Sequence, residues 1–200
     1  MVLATGLVRA LDLPVRARRA LPPDGLLELV RAPGAAATTL AVELVLESQR
    51  AGDPAAWIQR EDGALFPPDL AAAGVDLEAL LVARVPASHA SLPKAAELVL
   101  RSGAFGVVVI DADGAALPRG EAWLGRLGAL AREHACRCVL LTAPAEGSLG
   151  PLIPLRLAAA RRRLWPGRFA LSAEVHKDKS GARPERLPGP LVYAGPPGLP

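Results

Sequence analysis

The sequence predicts an α/β domain whose mainly parallel sheet is covered by helices on both faces. Short apolar runs that are typical of strands alternate with segments whose apolar residues recur at helical spacing. The run Phe105–Ile110 (FGVVVI) contains no polar residue, as expected of a parallel strand that is buried on both faces. With 51% hydrophobic residues, the 200-residue chain can also bury a sizeable core.

The predicted elements alternate regularly as far as residue 143. Gly52 and Gly74 end the first two helices, since glycine is the usual residue where a helix stops. Strands are predicted at Leu26–Val30, Ala55–Gln59, Leu80–Val85, Phe105–Ile110 and Cys138–Leu141, and helices at Thr38–Ala51, Asp69–Ala73, Ser88–Arg101 and Glu121–Glu133.

The pattern changes towards the C-terminus. Leu155–Ala159 and Phe169–Val175 read as strands without a clear helix between them, so we expect antiparallel pairing there. From Gly181 onward six prolines exclude a regular helix, which predicts an extended tail with one short strand at Leu191–Tyr193. The predicted organisation is therefore a short N-terminal segment (1–20), a core domain (21–180) and a Pro/Gly-rich tail (181–200).

The net charge of +3 is unevenly distributed. Residues 1–150 carry 14 basic and 17 acidic side chains, whereas residues 151–200 carry nine basic and three acidic ones. Such a basic block fits nucleic-acid phosphates or an acidic protein surface, and it is equally compatible with a solvated face. Within it, Arg161, Arg162 and Arg163 precede Trp165, a pattern that suits phosphate contact with base stacking or a surface turn whose tryptophan packs on the core.

Several classes of protein are excluded by composition. Two cysteines cannot support a disulfide-rich secreted scaffold, and Cys136 and Cys138 are predicted to be buried thiols. No apolar run approaches the ~18 residues of a membrane span, and no segment has the pattern of a signal peptide. The three histidines have no metal-ligand spacing, so no metal site is expected. We therefore expect a cytoplasmic protein without membrane contact.

The loop Arg31–Thr39 lies between a predicted strand and a predicted helix, where nucleotide-binding proteins carry GxxxxGK[ST]. Thr38 and Thr39 retain the hydroxyl positions of this motif. Arg31 and Ala36 replace its two glycines, and Ala37 replaces the lysine that would neutralise phosphate charge. The loop is thus either a degenerate phosphate loop or an ordinary turn between a strand and a helix.

An acidic residue, Asp111, ends the apolar strand Val107–Ile110. Nucleotide-hydrolysing α/β proteins hold a Mg²⁺-coordinating aspartate at such a strand end, although a carboxylate that caps the next turn gives the same pattern.

Taken together, six ordered segments resemble the RecA ATPase core. The resemblance covers about residues 21–180 and depends on the order of the matches rather than on any single motif. In chain order the segments are Leu21-Pro22, the loop that ends in Thr38-Thr39, Ala56-Trp57-Ile58 with Glu61, Gly74-Val75-Asp76 with Leu80-Leu81, Val107–Asp111, and Val175-His176-Lys177-Asp178-Lys179.

The resemblance implies roles for individual residues. Glu61 corresponds to the residue that polarises the attacking water, Asp111 to the Mg²⁺-site aspartate and Thr38 to the Mg²⁺-ligating hydroxyl. Lys177 and Lys179 correspond to basic residues that reach the nucleotide of a neighbouring protomer, although their spacing also fits one exposed strand face. Because the lysine of the phosphate loop is replaced, we expect weak or absent ATP hydrolysis, no required cofactor and at most weak binding of ATP with Mg²⁺.

The chain departs from RecA in ways that resemble a narrower group. Only about 20 residues precede the core, the stretch between Leu141 and Leu155 is short, and Ala143 occupies the place of a nucleotide-sensing glutamine. These features look most like ImuA, a RecA-like accessory protein of damage-induced mutagenesis, with SulA-like inhibitors of cell division as a more distant possibility. The resemblance implies RecA, an ImuB-type polymerase subunit, an error-prone polymerase and single-stranded DNA as partners in the SOS response and translesion synthesis.

Three functions are consistent with the sequence. The first is a non-catalytic RecA-like accessory protein that acts by binding other proteins, which the replacement by Ala37 favours. The second is a divergent DNA-stimulated ATPase that uses Glu61, Asp111 and a lysine from elsewhere. The third is a DNA-binding repair or recombination protein that uses Arg161–Arg163.

Overall fold

A computed structural model describes residues 21, 24–31, 36–112, 114–115, 117–143, 149–165 and 168–180, together with the backbone of 191–194. The predicted N-terminal segment and most of the predicted tail lie outside these residues. Within the described ranges, no helix combines the length and the apolar character needed to cross a membrane.

The described chain folds around one eight-stranded sheet. Its strands are β1 (Gly25–Val30), β2 (Ala55–Arg60), β3 (Leu80–Val85), β4 (Val107–Asp111), β5 (Arg137–Thr142), β6 (Leu155–Trp165), β7 (Arg168–Asp178) and β8 (Leu191–Ala194). They lie in the order β3-β2-β4-β5-β1-β6-β7-β8. All neighbours from β3 to β6 are parallel, while β6–β7 and β7–β8 are antiparallel. The predicted fold class is therefore confirmed.

Helices cover both faces of the parallel strands. They are α1 (Ala37–Arg50), α2 (Pro67–Ala73), α3 (Ser91–Arg101) and α4 (Ala122–Glu133). One apolar cluster joins α1 and α2 to one face, and a second joins α3 and α4 to the other. Side chains alternate along each strand, so Leu27 and Leu29 of β1 lie in the first cluster and Leu26 in the second.

The strands form where the apolar runs predicted them. Val108 and Val109 are fully buried on opposite faces of β4, which explains why the run has no polar position. Cys136 and Cys138 are buried free thiols at the start of β5, as predicted. Burial raises the pKa of Cys136 to about 12 and raises that of Cys138 as well.

Some boundaries differ from the prediction. Helix α3 begins at Ser91 instead of Ser88, because residues 88–90 form a turn in which the Ser91 N–H donates to the Ser88 carbonyl oxygen. Strands β6 and β7 have 11 residues each and are much longer than predicted. The search for apolar runs missed residues 160–165 of β6, which include three exposed arginines, and Arg168 and the mainly polar residues 176–178 of β7. Strand β8, predicted at Leu191–Tyr193, forms at Leu191–Ala194.

Candidate functional site

The C-terminal ends of the parallel strands gather the predicted site residues at one edge of the sheet. Arg31 follows β1, Asp111 ends β4 and Thr142 ends β5. Parallel α/β sheets place their ligand sites at this edge, because loops and helix N-termini converge there. The candidate site is therefore described from these strand ends outward.

An ion pair joins the loop after β1 to the tip of β4. Arg31 Nη2 donates to Asp111 Oδ2 at 2.9 Å, and the Asp111 side chain is only 11% exposed. Eighty residues separate the two positions in the chain. The carboxylate that the resemblance assigns to Mg²⁺ thus already has a cation bound to one of its oxygens.

The start of α1 is tied to β6. The backbone N–H of Ala36, at the second glycine position of the motif, donates to the Ala159 carbonyl oxygen at 3.2 Å. Ala36 and Ala159 are both buried and pack with Leu171 of β7. In a phosphate loop, N–H groups at this place point at the ligand. In this chain the Ala36 N–H is instead bonded to a carbonyl oxygen of the protein itself.

The two threonines lie in the first turn of α1. Thr38 is exposed and Thr39 is half-buried, whereas Ala37 is completely buried beside them. Residues 32–35 of the loop lie outside the described part of the chain. The hydroxyl positions therefore remain at the helix N-terminus, but no ammonium group accompanies them.

Three groups in the described part of the chain do not fit a nucleotide–Mg²⁺ site of the RecA kind. Such a site needs a free aspartate for the metal, backbone N–H groups that face the phosphates and a lysine between them. Asp111 bonds Arg31, the Ala36 N–H bonds Ala159, and residue 37 is alanine. In the described part of the chain, no group of three or more His, Cys, Asp or Glu side chains is placed to hold a metal ion.

Two arginines that the sequence analysis did not single out fix the loop around Glu61. Arg84 Nη1 donates to the Glu61 carbonyl oxygen at 3.0 Å. Arg60 Nη1 donates to the Gly114 carbonyl oxygen at 2.7 Å, and its Nη2 pairs with Asp62. The Glu61 side chain itself points into solvent. A hydrogen bond thus links the end of β2 to the loop after β4. Asp111 is the last residue of β4.

Charged residues inside apolar strands are a second feature that the sequence analysis missed. Glu28 is fully buried in β1, where Thr142 Oγ1 donates to its Oε1 at 2.9 Å and Arg156 Nε lies 3.4 Å from its Oε2. Burial raises the pKa of Glu28, while Thr142 and Arg156 oppose the rise. The sequence did contain a signal of this pairing, the glutamate within the apolar run Leu26–Val30. A charge buried in such a strand needs a partner.

The three consecutive arginines lie on the β6–β7 hairpin and do not share one face. In a strand, side chains alternate, so Arg161 and Arg163 lie on one face and Arg162 on the other. All three are exposed, and the Arg161 guanidinium lies 4.9 Å from the centre of the Phe169 ring. Trp165 is 55% exposed, so the alternative in which it packs on the core is wrong.

The two lysines of β7 differ in environment. Lys177 is half-buried, and its Nζ donates to the carbonyl oxygens of Gly150 and Pro151 at 2.9 and 3.3 Å. Lys179 follows the end of β7 and is exposed, and its backbone N–H donates to the Pro154 carbonyl oxygen. The alternative that both lysines lie on one exposed strand face is therefore wrong for Lys177.

Comparison with known proteins supports the resemblance to RecA that the sequence shows. Residues 4–138 match the RecA N-terminal domain family, which is more than half of the chain. The chain belongs to the RecA N-terminal domain family. The matched region contains strands β1 to β4 and ends inside β5, so the arginine-rich hairpin of this RecA-family chain lies beyond it.

Individual relatives carry the name Protein RecA. The chain is 37% identical to the protein of Salinispora arenicola over 101 residues, which are 50% of this chain and 28% of the relative. It is 39% identical to the protein of Crocosphaera subtropica over 112 residues, or 56% of this chain and 32% of the relative. With the protein of Rubrobacter xylanophilus it shares 39% identity over 101 residues, or 50% and 29%. The chain thus spans about a third of the length of these curated relatives.

Proposed function

We propose that this RecA-family chain is a non-catalytic accessory protein of bacterial DNA repair that acts by binding protein partners. The Arg31–Asp111 ion pair is the observation that carries the proposal, because it occupies the carboxylate on which metal-assisted phosphoryl transfer depends. The bonded Ala36 N–H and the missing lysine at Ala37 point in the same direction. The chain would accordingly bind ATP weakly or not at all and release no phosphate.

The partners that suit this proposal are a RecA protomer and an ImuB-type polymerase subunit, with a role in translesion synthesis during the SOS response. The relatives named RecA and the ImuA-like features of the sequence support this choice. An error-prone polymerase would then be reached through the same assembly, in the cytoplasm.

One edge of the sheet is suited to such a partner. Strand β3 pairs with β2 on one side, and on its other side no strand follows among the described residues. Leu81 of β3 is 43% exposed and Leu98 of the adjoining helix α3 is 71% exposed. Unpaired strand edges beside apolar side chains accept an extended segment of another protein.

Replacing Leu98 with glutamate is expected to weaken capture of RecA or of an ImuB-type subunit about 5- to 30-fold, because an apolar contact at an interface of this kind contributes about 1–2 kcal/mol. Leu152→Glu is the matched control, since Leu152 is also exposed (45%) but lies between β5 and β6, away from β3. Surface plasmon resonance with both immobilised partners measures the change.

The same preparation is titrated with ATP and Mg²⁺ in a calorimeter, and no binding heat is expected. A saturable 1:1 isotherm accompanied by phosphate release would overturn the non-catalytic proposal. Capture of neither partner would overturn the accessory role, and equal losses from Leu98→Glu and Leu152→Glu would show that β3 is not the binding edge.

The β6–β7 hairpin supports a second candidate function, direct binding of single-stranded DNA. Arg161 and Arg163 lie on one face of β6, and the exposed Trp165 follows at the end of the same strand, so the hairpin offers both phosphate contacts and a stacking surface. The double replacement Arg161→Ala/Arg163→Ala is expected to lower affinity ~10-fold or more. It should also reduce the salt slope of binding by about 1.4, at ~0.7 per lost contact.

Arg162→Ala is the control on the opposite face and should have a smaller effect. Fluorescence anisotropy with a labelled oligonucleotide at several salt concentrations measures both quantities. If the double variant binds like the unmodified chain, this second function is excluded.

A further inference from the structure

Three charged side chains lie side by side across β1, β6 and β7. Glu28 is the register partner of Arg156, and Arg156 is the register partner of Lys177. We call these residues the charged row. Glu28 is fully buried, the Arg156 side chain is only 15% exposed and Lys177 is half-buried, so the row runs from the interior towards the surface. Charges in this position are stable only when polar groups surround them.

A β-bulge brings Lys177 into the charged row. Leu157 is opposite Val175 and Arg156 is opposite Lys177, so His176 is an extra residue on β7. Bulges redirect the side chains of the strand that carries them. In a regular ladder, His176 would lie opposite Arg156. The bulge instead places the lysine beside it and leaves the histidine side chain 40% exposed.

The described part of the connection between β5 and β6, residues 149–154, lies beside this row. The Lys177 ammonium donates to the carbonyl oxygens of Gly150 and Pro151, at 2.9 and 3.3 Å. The backbone N–H of Leu149 donates to the Glu28 carboxylate. The connection is therefore bonded to both ends of the charged row, which belong to different strands.

The connection is also packed tightly from its outer side. Gly150 has a φ of +104°, and a Cβ built on it would lie 2.0 Å from Glu121 Oε1 at the start of α4. Leu152 lies against Gly125 of the same helix, 3.7 Å from the position of a Cβ there. Only glycine tolerates both the backbone angle and the contact at residue 150.

We propose that Lys177 is a positioning residue that latches residues 149–154 onto the sheet. The Lys177 ammonium donates to two carbonyl oxygens of the connection. The carboxylate of Glu28 offsets its positive charge, and Arg156 lies between Glu28 and Lys177. The latch makes residues 149–154 a fixed part of the core on the α4 face. Without it, residues 149–154 keep the buried side chain of Ile153, the Leu149 N–H bond to Glu28 and the Lys179 N–H bond to Pro154, but the backbone at Gly150 and Pro151 loses its bonds to the sheet.

Hydrogen–deuterium exchange of the full chain, followed by mass spectrometry, tests the latch. In Lys177→Met, which keeps an apolar stem and removes the ammonium, peptides covering 149–156 are expected to exchange at least ~10-fold faster. Peptides from β2 and β4 should exchange as before. Lys179→Met is the matched control and should leave 149–156 unchanged, because the side chain of Lys179 lies beyond the end of β7. Lys177→Arg should restore slow exchange, since it keeps a cation with several donors.

Three results would overturn the proposal. The first is unchanged exchange of 149–156 in Lys177→Met. The second is an acceleration spread evenly over all peptides, which would indicate a general loss of stability. The third is equal acceleration in Lys177→Arg, because a latch that depends on the cation must survive this replacement.

Discussion

Replacing Trp57 with alanine is expected to lower the free energy of unfolding by about 3 kcal/mol. Trp57 is 1% exposed in the middle of β2 and packs in the cluster under α1 and α2. Truncation of a buried tryptophan costs about 3–5 kcal/mol, since it leaves a cavity in a densely packed core. The lower end of this range applies because the buried indole N–H has no acceptor among the described residues, and its removal offsets part of the loss.

Urea denaturation followed by far-ultraviolet circular dichroism measures this change. Trp165→Ala is the matched control and should change stability by less than about 1 kcal/mol, because Trp165 is 55% exposed at the end of β6. Similar losses in the two variants would contradict the assignment of Trp57 to the core.

Replacing Glu28 with leucine is expected to cost about 3 kcal/mol. The change removes the carboxylate that lies 3.4 Å from the Arg156 guanidinium, so a cation whose side chain is only 15% exposed loses the charge of Glu28. Arg156→Leu should have a loss of similar size for the reciprocal reason. In the double variant the loss should be clearly smaller than the sum of the two, since no buried charge of this pair remains unpartnered. Strictly additive losses would show that the two groups do not interact.

The same residue should give stability a particular pH dependence. Burial raises the pKa of Glu28 above its ordinary value of 4.5, so the folded chain holds this proton more tightly than the unfolded chain does. The resulting stabilisation is complete below the unfolded-state pKa and is lost as pH rises through the folded-state pKa. Between pH 4 and pH 8, the unmodified chain should therefore lose stability relative to Glu28→Gln. Parallel pH profiles would contradict this.

Local patterns were sufficient to predict most of the fold. The order of strands and helices along the chain followed from three patterns: the FGVVVI run, the glycines that end helices and the alternation of apolar segments. A strand that is buried on both faces has an almost wholly apolar composition, which makes it easy to recognise. The lengths of β6 and β7 could not be predicted in this way. The residues beyond the predicted ends, 160–165 of β6 and 168 and 176–178 of β7, are held mainly by backbone pairing between the two strands, which requires no apolar run.

The sequence could predict which residues lie at the candidate site, but not which of them bond to each other. The sequence indicated Arg31 and Asp111 separately, yet no local pattern could show that a pair 80 residues apart would bond. The role of Lys177 was also beyond local reasoning, because it depends on a bulge opposite Arg156 and on the path of the chain near Gly150. Contacts of this kind are set by tertiary packing, which propensity and periodicity do not encode.

The buried thiols of Cys136, just before β5, and Cys138, within β5, can be used to measure how often the core opens. Cys136 and Cys138 are buried, and the raised pKa of each keeps the reactive thiolate scarce at neutral pH. A thiol reagent can therefore react with them only when the centre of the sheet separates from α4. The rate of modification under native conditions then reports how often the core opens, without any engineered label. The effect of every variant above on core stability can be read from this natural signal.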